Sequence, residues 1–471
     1  MKIYTRKSIR RRSYKIYTLG CKVNQYDSGK LAGELVRAGF IMADKNADLA
    51  IINSCAVTKT AMIKSGRMVK LAGKENPKAK IALAGCWPRV DDKIIKLEGV
   101  DLVLKANEVK VIVEKIKKLS FDNGRIREIA SPANAEPAMT NKSRYFIKVQ
   151  DGCEQFCSYC IIPYARGKLK SRGEREVVNE IKQAVKAGYQ EIVLSGIHLG
   201  LYGKESSLSL RAIDFSVIPA PEPESRVQPL EQVSGLRVRP AMTNFNCAPR
   251  NDNLVSLIKK IIKIKNLGRL RLSSIEITEV TDKLINLMSK SDKICKHLHA
   301  PLQSGSDKIL KLMNRPYNIK YFAGRIKRIR RAMPAIAITT DVIVGFPGET
   351  EKDFRETEKF IKLMKFSRLH VFPFSAHEKT PAAKLPNQIE EKIKARRAKI
   401  LRKLGIKLAE DYKNKFKGRN LEVAIEQVKR DRLIGKTEYY FDIEFDKKQI
   451  IGRKAGADNS LIGRIIKIKN N

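Results

Sequence analysis

Nowhere in the 471 residues does an apolar run approach the ~18 residues that a membrane-spanning helix needs. The start, MKIYTRKSIRRRSYKIYTLG, is positive like the head of a signal peptide but lacks the apolar stretch that must follow. The expectation is a soluble, cytoplasmic protein with no membrane partner. Cysteine is scarce: eight in the whole chain argue against a disulfide scaffold, and clustered thiols in a reducing compartment more often hold metal or perform chemistry. Acidic residues are outnumbered, 50 Asp+Glu against 94 Lys+Arg, leaving a formal net charge of +44. So positive a field favours a polyanionic partner, of which nucleic acid is the commonest. A general taste for lysine is the plainer alternative. No Ser/His/Asp set, paired-carboxylate arrangement, phosphate-cradling P-loop, short-period repeat or coiled-coil pattern stands out. Hydrophobic residues, at 43%, suffice for packed cores and exclude a wholly disordered chain. The length calls for roughly two to four domains of ~100–200 residues.

Residues 14–120 alternate apolar strands (Tyr14–Gly20, Asp48–Ser54, Lys80–Gly85) with helix-like stretches (Ser28–Gly39, Lys59–Gly73). That rhythm predicts an α/β unit with a doubly wound parallel sheet, over about residues 12–125. A polar, Pro-containing linker, SPANAEPAMTNKS, follows. From Tyr145 six further strands are predicted: Tyr145–Asp151, Gln190–Ser195, Arg269–Ile275, Lys296–Leu302, Ile336–Phe346 and Arg368–Phe374. Helical stretches such as Glu174–Ala187, Asn253–Lys265 and Thr350–Lys365 follow most of them, the last opening with a near capping box at Thr350 and Asp353. Six successive βα units over 140–385 predict an open or partial barrel whose site lies at the strands' carboxyl ends. Residues 206–252 lack helical periodicity and read as a surface insertion, with Cys247 a bystander. After a charged helical stretch over 388–416, Leu421, Val423 and Ile425 alternate with polar or small neighbours, and 440–445 and 461–468 behave alike. The tail, 412–471, is therefore expected to be a small antiparallel β-domain.

Cys153, Cys157 and Cys160, in DGCEQFCSYCIIPYARG, follow a strand directly and can wrap one soft metal centre from one loop. A structural zinc would want a fourth Cys or His nearby, and none stands at finger spacing. A 4Fe-4S cluster accepts such thiolates, and three ligands leave one iron open to a substrate or cofactor. Cys21, Cys55 and Cys86 lie too far apart in sequence for a loop motif, yet each closes a predicted strand. In a parallel sheet those ends line one ligand-binding edge, so the three thiols are expected to converge and could hold a second cluster. Three buried cysteines acting as small hydrophobes are the alternative. Ser195, Gly196 and Gly345 end barrel strands, where glycine permits close backbone approach, although ordinary turns would use it too. His299 and Gln303 end the fourth barrel strand, and a satisfied structural histidine is the reading preferred there. Cys295 lacks partners at useful spacing.

The triplet Cys153, Cys157, Cys160 ahead of a partial barrel resembles the radical S-adenosylmethionine (SAM) superfamily. With the three-cysteine unit before it and the β-domain after it, the chain resembles the methylthiotransferases. TLGCKVNQYDS, NSCAVT, DGCEQFCSYCIIPYARG, LSGIHLGLYG, HAPLQSGSD and TDVIVGFPGET are similar to the branch acting on N6-threonylcarbamoyladenosine beside the tRNA anticodon. Departures are NSCAVT where N-T-C is usual, and Cys86-Trp87-Pro88 where a small polar context is commoner.

The resemblance implies two 4Fe-4S clusters, SAM bound at the open iron of the Cys153/Cys157/Cys160 cluster, and a sulfur donor on Cys21/Cys55/Cys86. A 5′-deoxyadenosyl radical would abstract hydrogen from adenine C2, and an external donor would supply the electron. Arg271, Ser273 and Glu276 are implied near the ribose and amino-acid part of SAM. The tail resembles TRAM, an RNA-binding module, and implies phosphate contacts from Lys415, Lys417, Arg419, Arg464 and Lys467, with Lys429, Arg430, Arg432 and Lys469 in support, to a tRNA anticodon stem-loop. The rivals are methylthiotransfer to isopentenyladenosine or to a ribosomal-protein aspartate, a non-catalytic RNA-binding iron–sulfur redox sensor, and a zinc-bearing RNA chaperone.

Overall fold

Leu49–Ser54, LAIINS, is buried at every residue, with no polar–apolar alternation, because helices cover the sheet on both faces. In the computed structural model, which describes residues 11–105, 109–119, 143–204, 252–430, 432–450 and 461–470, this is the middle strand of the first sheet. Five parallel strands run in the order β2 (Ile41–Met42), β1 (Ser13–Thr18), β3 (Leu49–Ser54), β4 (Lys80–Gly85), β5 (Leu102–Val103). Leu31 and Leu35 of helix Lys22–Arg37 pack one face with Ile112 and Ile116, while Val69, Ala72 and Trp87 pack the other. That helix starts six residues before the expected Ser28, with Cys21 as its N-cap. Lys22–Asp27 carries no capping pattern; the burial of Val23 and Tyr26 holds it helical.

The second set of strands begins with β6 (Tyr145–Asp151), which pairs in parallel with β8 (Glu191–Gly196), itself parallel to β9 (Arg269–Leu272). The two-residue β7 (Lys170–Ser171) adds an antiparallel edge that went unforeseen. A second parallel sheet holds β10 (His297–His299), β11 (Ala337–Val344) and β12 (Arg368–Pro373). Parallel bridges Leu270↔Ile294 and Ser274↔His299 join the two sheets. β9 and β10 end sooner than expected, at Leu272 and His299, and pairing continues beyond them as isolated parallel bridges, Ser274↔His299 and Gln303↔Val342, with Gln303 at φ 65°. Leu270, Leu272, Leu298, Ile338 and Val342 point outward into the large helix-covered core. Alternation then turns Glu191, Arg269, Arg271, His297, His299, Thr339, Asp341 and His370 to the inner face. Thr350 and Asp353 do form a capping box, on helix Glu351–Met364.

Helix Glu391–Asn414 buries Ala398, Leu401 and Leu408 in the same core and delivers Tyr412 and Phe416 to the last one. There β15 (Asp442–Asp446), β14 (Arg432–Thr437), β13 (Asn420–Lys429) and β16 (Ile465–Lys469) make an antiparallel sheet. β14 was unforeseen: Gly435 interrupts its pattern, yet Ala424 O would lie 2.5 Å from any Cβ there, so the close strand contact requires glycine. Arg269 and Arg271 tie this sheet to the inner face, donating to the carbonyls of Glu422, Lys436 and Thr437. The expected insertion lies, up to residue 251 and with Cys247, outside the described residues.

Candidate active site: two cysteine trios

Cys21, Cys55 and Cys86 follow the carboxyl ends of β1, β3 and β4, and β3 pairs with both neighbours, so the three ends are contiguous. Asn24 Nδ2 clamps them by donating to the carbonyls of Leu19 (2.8 Å) and Ser54 (3.0 Å). Gly85, at φ +93°, brings the chain so close that a Cβ would sit 2.4 Å from Ser54 O. Cys55 and Cys86 are buried while Cys21 remains exposed. Burial pushes the Cys55 thiol up to about 11, and the charges of Cys86 and Cys21 add to the rise. Although the residue as a whole is exposed, desolvation of its thiol raises Cys21 too, against the pull of Arg166, and it also feels Cys86. Thiols so placed are reluctant to ionise alone and ionise readily when metal cations replace their protons.

The second trio is shaped by its loop. Gly152, at φ +74°, passes Lys168 so closely that a Cβ would lie 1.9 Å from its carbonyl oxygen. Cys153 N then donates to Gly167 O at 3.1 Å, and Cys160 N to Cys157 O at 2.9 Å, folding the loop on itself. Two basic groups stand against the sulphurs: Arg315 Nη1 lies 3.2 Å from Cys157 Sγ, and His198 Nδ1 lies 3.4 Å from Cys153 Sγ. Arg315 is also bonded to buried Glu276, and His198 Nε2 is 2.6 Å from Glu279. Burial opposes a charge on His198, but Glu279 and Cys153 overcome it and raise the imidazole. Burial raises both Cys157 and Cys160.

Among the described residues, the set of three ligating side chains whose atoms all lie within 4.8 Å of one another is His299, Asp341 and His370. Neither cysteine trio is drawn in that far.

Both trios meet at Ile161–Arg166. Cys86 and Trp87 share a core with Ile161 and Ala165, and Arg89 Nη1 donates to Ala165 O at 2.8 Å. Arg166 turns back to Asp27 (2.9 Å), Asp151 (3.2 Å) and Asn24, where it faces Cys21 and Cys86. Arg166, His198 and Arg315 are not among the residues expected from sequence. The first two lie inside DGCEQFCSYCIIPYARG and LSGIHLGLYG, so a signal existed; Arg315, 155 or more residues beyond the loop, carried none.

The remaining expected residues are dispersed. Ser195 and Gly196 end β8, and a Cβ on Gly196 would meet Leu199 Cα at 3.0 Å. Ser273 Oγ is buried without a hydrogen-bond partner among the described residues, on the strand end beside Glu276. Arg271 is committed elsewhere, to Glu191 at 2.8 Å and to Thr437 O at 2.9 Å. Gly345, at φ +71°, packs on Lys394 and donates to Glu349. His299 is satisfied as expected, by Thr339 at 2.9 Å and Asp341 at 3.2 Å. Lys415, Lys417, Arg419, Arg464 and Lys467 are all exposed.

Residues 147–361 match the radical SAM superfamily, and residues 13–105 match a family described as Uncharacterized protein family UPF0004. The fold is also that of the radical SAM methyltransferase TsrM from Kitasatospora setae, at TM-score 0.52 and 13% identity over 79% of this chain and 77% of that one. Fold and loop thus define a radical SAM protein. Against threonylcarbamoyladenosine tRNA methylthiotransferase MtaB of Bacillus subtilis the chain is 34% identical, covering 96% of this chain and 92% of the relative. MtaB of Thermotoga maritima is 33% identical with 96% and 94% covered. The tRNA-2-methylthio-N(6)-dimethylallyladenosine synthase of Carboxydothermus hydrogenoformans is 30% identical with 97% and 96% covered. The chain belongs to the radical SAM methylthiotransferase family.

Proposed function

We propose that this protein transfers a methylthio group to C2 of N6-threonylcarbamoyladenosine at position 37 of tRNA, next to the anticodon. The observation that carries the reading is the meeting of two cysteine trios on the single segment Ile161–Arg166. Cys153, Cys157 and Cys160 would hold the SAM-binding 4Fe-4S cluster, and Cys21, Cys55 and Cys86 the auxiliary one. When bound, the clusters and SAM supply the radical and the sulfur that this substitution needs.

The protein's own residues position and insulate. Arg315 and His198 offset thiolate charge beside Cys157 and Cys153, each held by a buried carboxylate, Glu276 and Glu279. The unpartnered Ser273 Oγ, with Ser195, Gly196 and Gly345 at neighbouring strand ends, supports a SAM pocket on that rim. Arg271 acts instead as a brace to the C-terminal sheet. Three units follow: an N-terminal auxiliary-cluster domain over 12–125, a partial (β/α)6 barrel over 140–385, and a TRAM-like RNA-binding domain over 412–471. The anticodon loop is single-stranded, so its base can be splayed into the site at small cost. The electron is expected from an external donor. Among the described residues no helix is long and apolar enough to cross a membrane.

Anaerobic iron and sulfide counting on Cys55→Ala and Cys157→Ala tests the assignment: each variant should lose one cluster and keep the other. Nucleoside analysis of tRNA from cells lacking the gene should show loss of 2-methylthio-N6-threonylcarbamoyladenosine. Loss of the dimethylallyl derivative instead, or of a ribosomal-protein modification, would reassign the substrate.

A further inference from the structure

Lys22 immediately follows Cys21 and opens helix Lys22–Arg37, whose Tyr26 packs in the core of the central strands. This half-buried side chain leaves its own sheet and enters the inner face of the second one. Its Nζ lies 5.6 Å from the centre of the Tyr440 ring, and its charge is felt at His297 and His370. The three cations whose charges it feels most, Arg271, Arg144 and Lys436, each have an anionic partner. Arg271 pairs with Glu191 at 2.8 Å, Arg144 with Glu426 at 2.7 Å, and Lys436 with Asp442. Lys22 has neither a hydrogen bond nor an ion pair among the described residues, only the aromatic face of Tyr440. Glu191, the acid whose charge it feels, is already claimed by Arg269 and Arg271. An ammonium on a semi-enclosed polar face, with no ion pair of its own among the described residues, is a site awaiting an anion.

We propose that Lys22 is the specificity residue that reads the carboxylate of the amino acid carried on N6 of the target adenine. The inference rests on the reading of N6-threonylcarbamoyladenosine as substrate, and it says what in this chain distinguishes that nucleoside from a neutral N6-alkyl one. A carboxylate completes the charge of Lys22; an alkyl group leaves the ammonium unpaired, so discrimination works by rejection as well as attraction. The side chain that reads the N6 substituent is covalently adjacent to Cys21. Reading N6 therefore fixes where C2 of the same ring lies relative to the auxiliary trio.

Binding to anaerobically prepared, iron-loaded protein separates the possibilities. Three synthetic anticodon stem-loops are compared: one with N6-threonylcarbamoyladenosine, one with its threonine carboxamide, and one with unmodified adenosine. The wild type should prefer the carboxylate to the carboxamide by about tenfold. Lys22→Met and Lys22→Gln should abolish that preference while leaving carboxamide affinity within about twofold, and Lys22→Arg should restore much of it. Preference retained in both neutral variants, or both loops weakened equally, overturns the role of Lys22. Wild-type turnover is the separate control: no methylthio product on the first loop sinks the substrate reading itself, whatever Lys22 does.

Discussion

Arg315 is enclosed by protein, with its guanidinium forked between Cys157 Sγ and Glu276. Removing it strands a buried carboxylate, so Arg315→Met should cost about 3–5 kcal/mol in anaerobic denaturant unfolding and lower iron retention by the loop trio. Arg315→Lys should recover only part, because an ammonium cannot fork to two partners. Glu438 is a half-buried carboxyl, with opposite consequences. Burial raises its carboxyl to about 7, with the pull of Arg269 opposing, and its Oε2 accepts from Glu422 N at 3.0 Å. A raised carboxyl favours the folded state when protonated, so its contribution is present below the unfolded value of 4.5 and is lost as pH rises through about 7. Unfolding midpoints should therefore fall over that interval, and Glu438→Gln should remove roughly 2–3 kcal/mol of the slope while keeping the Glu422 contact. Glu349, which burial likewise raises to about 7, adds to the slope in the same direction. None of these partnerships was readable in advance. Glu276 and Arg315 are 39 residues apart, and only the folded chain brings them together.

At the scale of elements, local chemistry was largely legible. Lys80–Gly85, Tyr145–Asp151 and the capping box at Thr350 and Asp353 fall where periodicity and capping put them. Thr350→Ala should lower stability by about 1 kcal/mol through loss of the cap, measured as a shift of the unfolding midpoint without loss of iron. What stayed hidden were elements held by contact rather than propensity: the first turns after Cys21, the two-residue strands, and β14 with its central Gly435. Gly85 illustrates the reverse coupling, from element to site. Its positive φ and its approach to Ser54 O place Cys86, so Gly85→Ala should displace that thiol and deplete the auxiliary cluster's iron while sparing the loop trio. Iron counting beside the Cys55 and Cys157 variants checks this.

At the scale of the whole molecule, the net charge of +44 sets how the protein meets a polyanion. Lys415, Lys417 and Arg419 project from the join between the last helix and the C-terminal sheet. Replacing all three with Gln should weaken tRNA binding and flatten the dependence of log affinity on log salt by roughly 2, at ~0.7–0.9 for each phosphate no longer neutralised. By itself the chain dictated the thiols, their spacing, the alternating strands and the basic tail, because these are written in local pattern. That β1, β3 and β4 are neighbours, so that three distant cysteines share one edge, follows from parallel-sheet topology and was inferable. That Arg166, six residues after Cys160, reaches Cys21 and Cys86, and that Lys22 enters the inner face beside Tyr440 with no ion pair among the described residues, was settled only in three dimensions. Which cations find partners depends on long-range packing, and residue spacing carries no record of that.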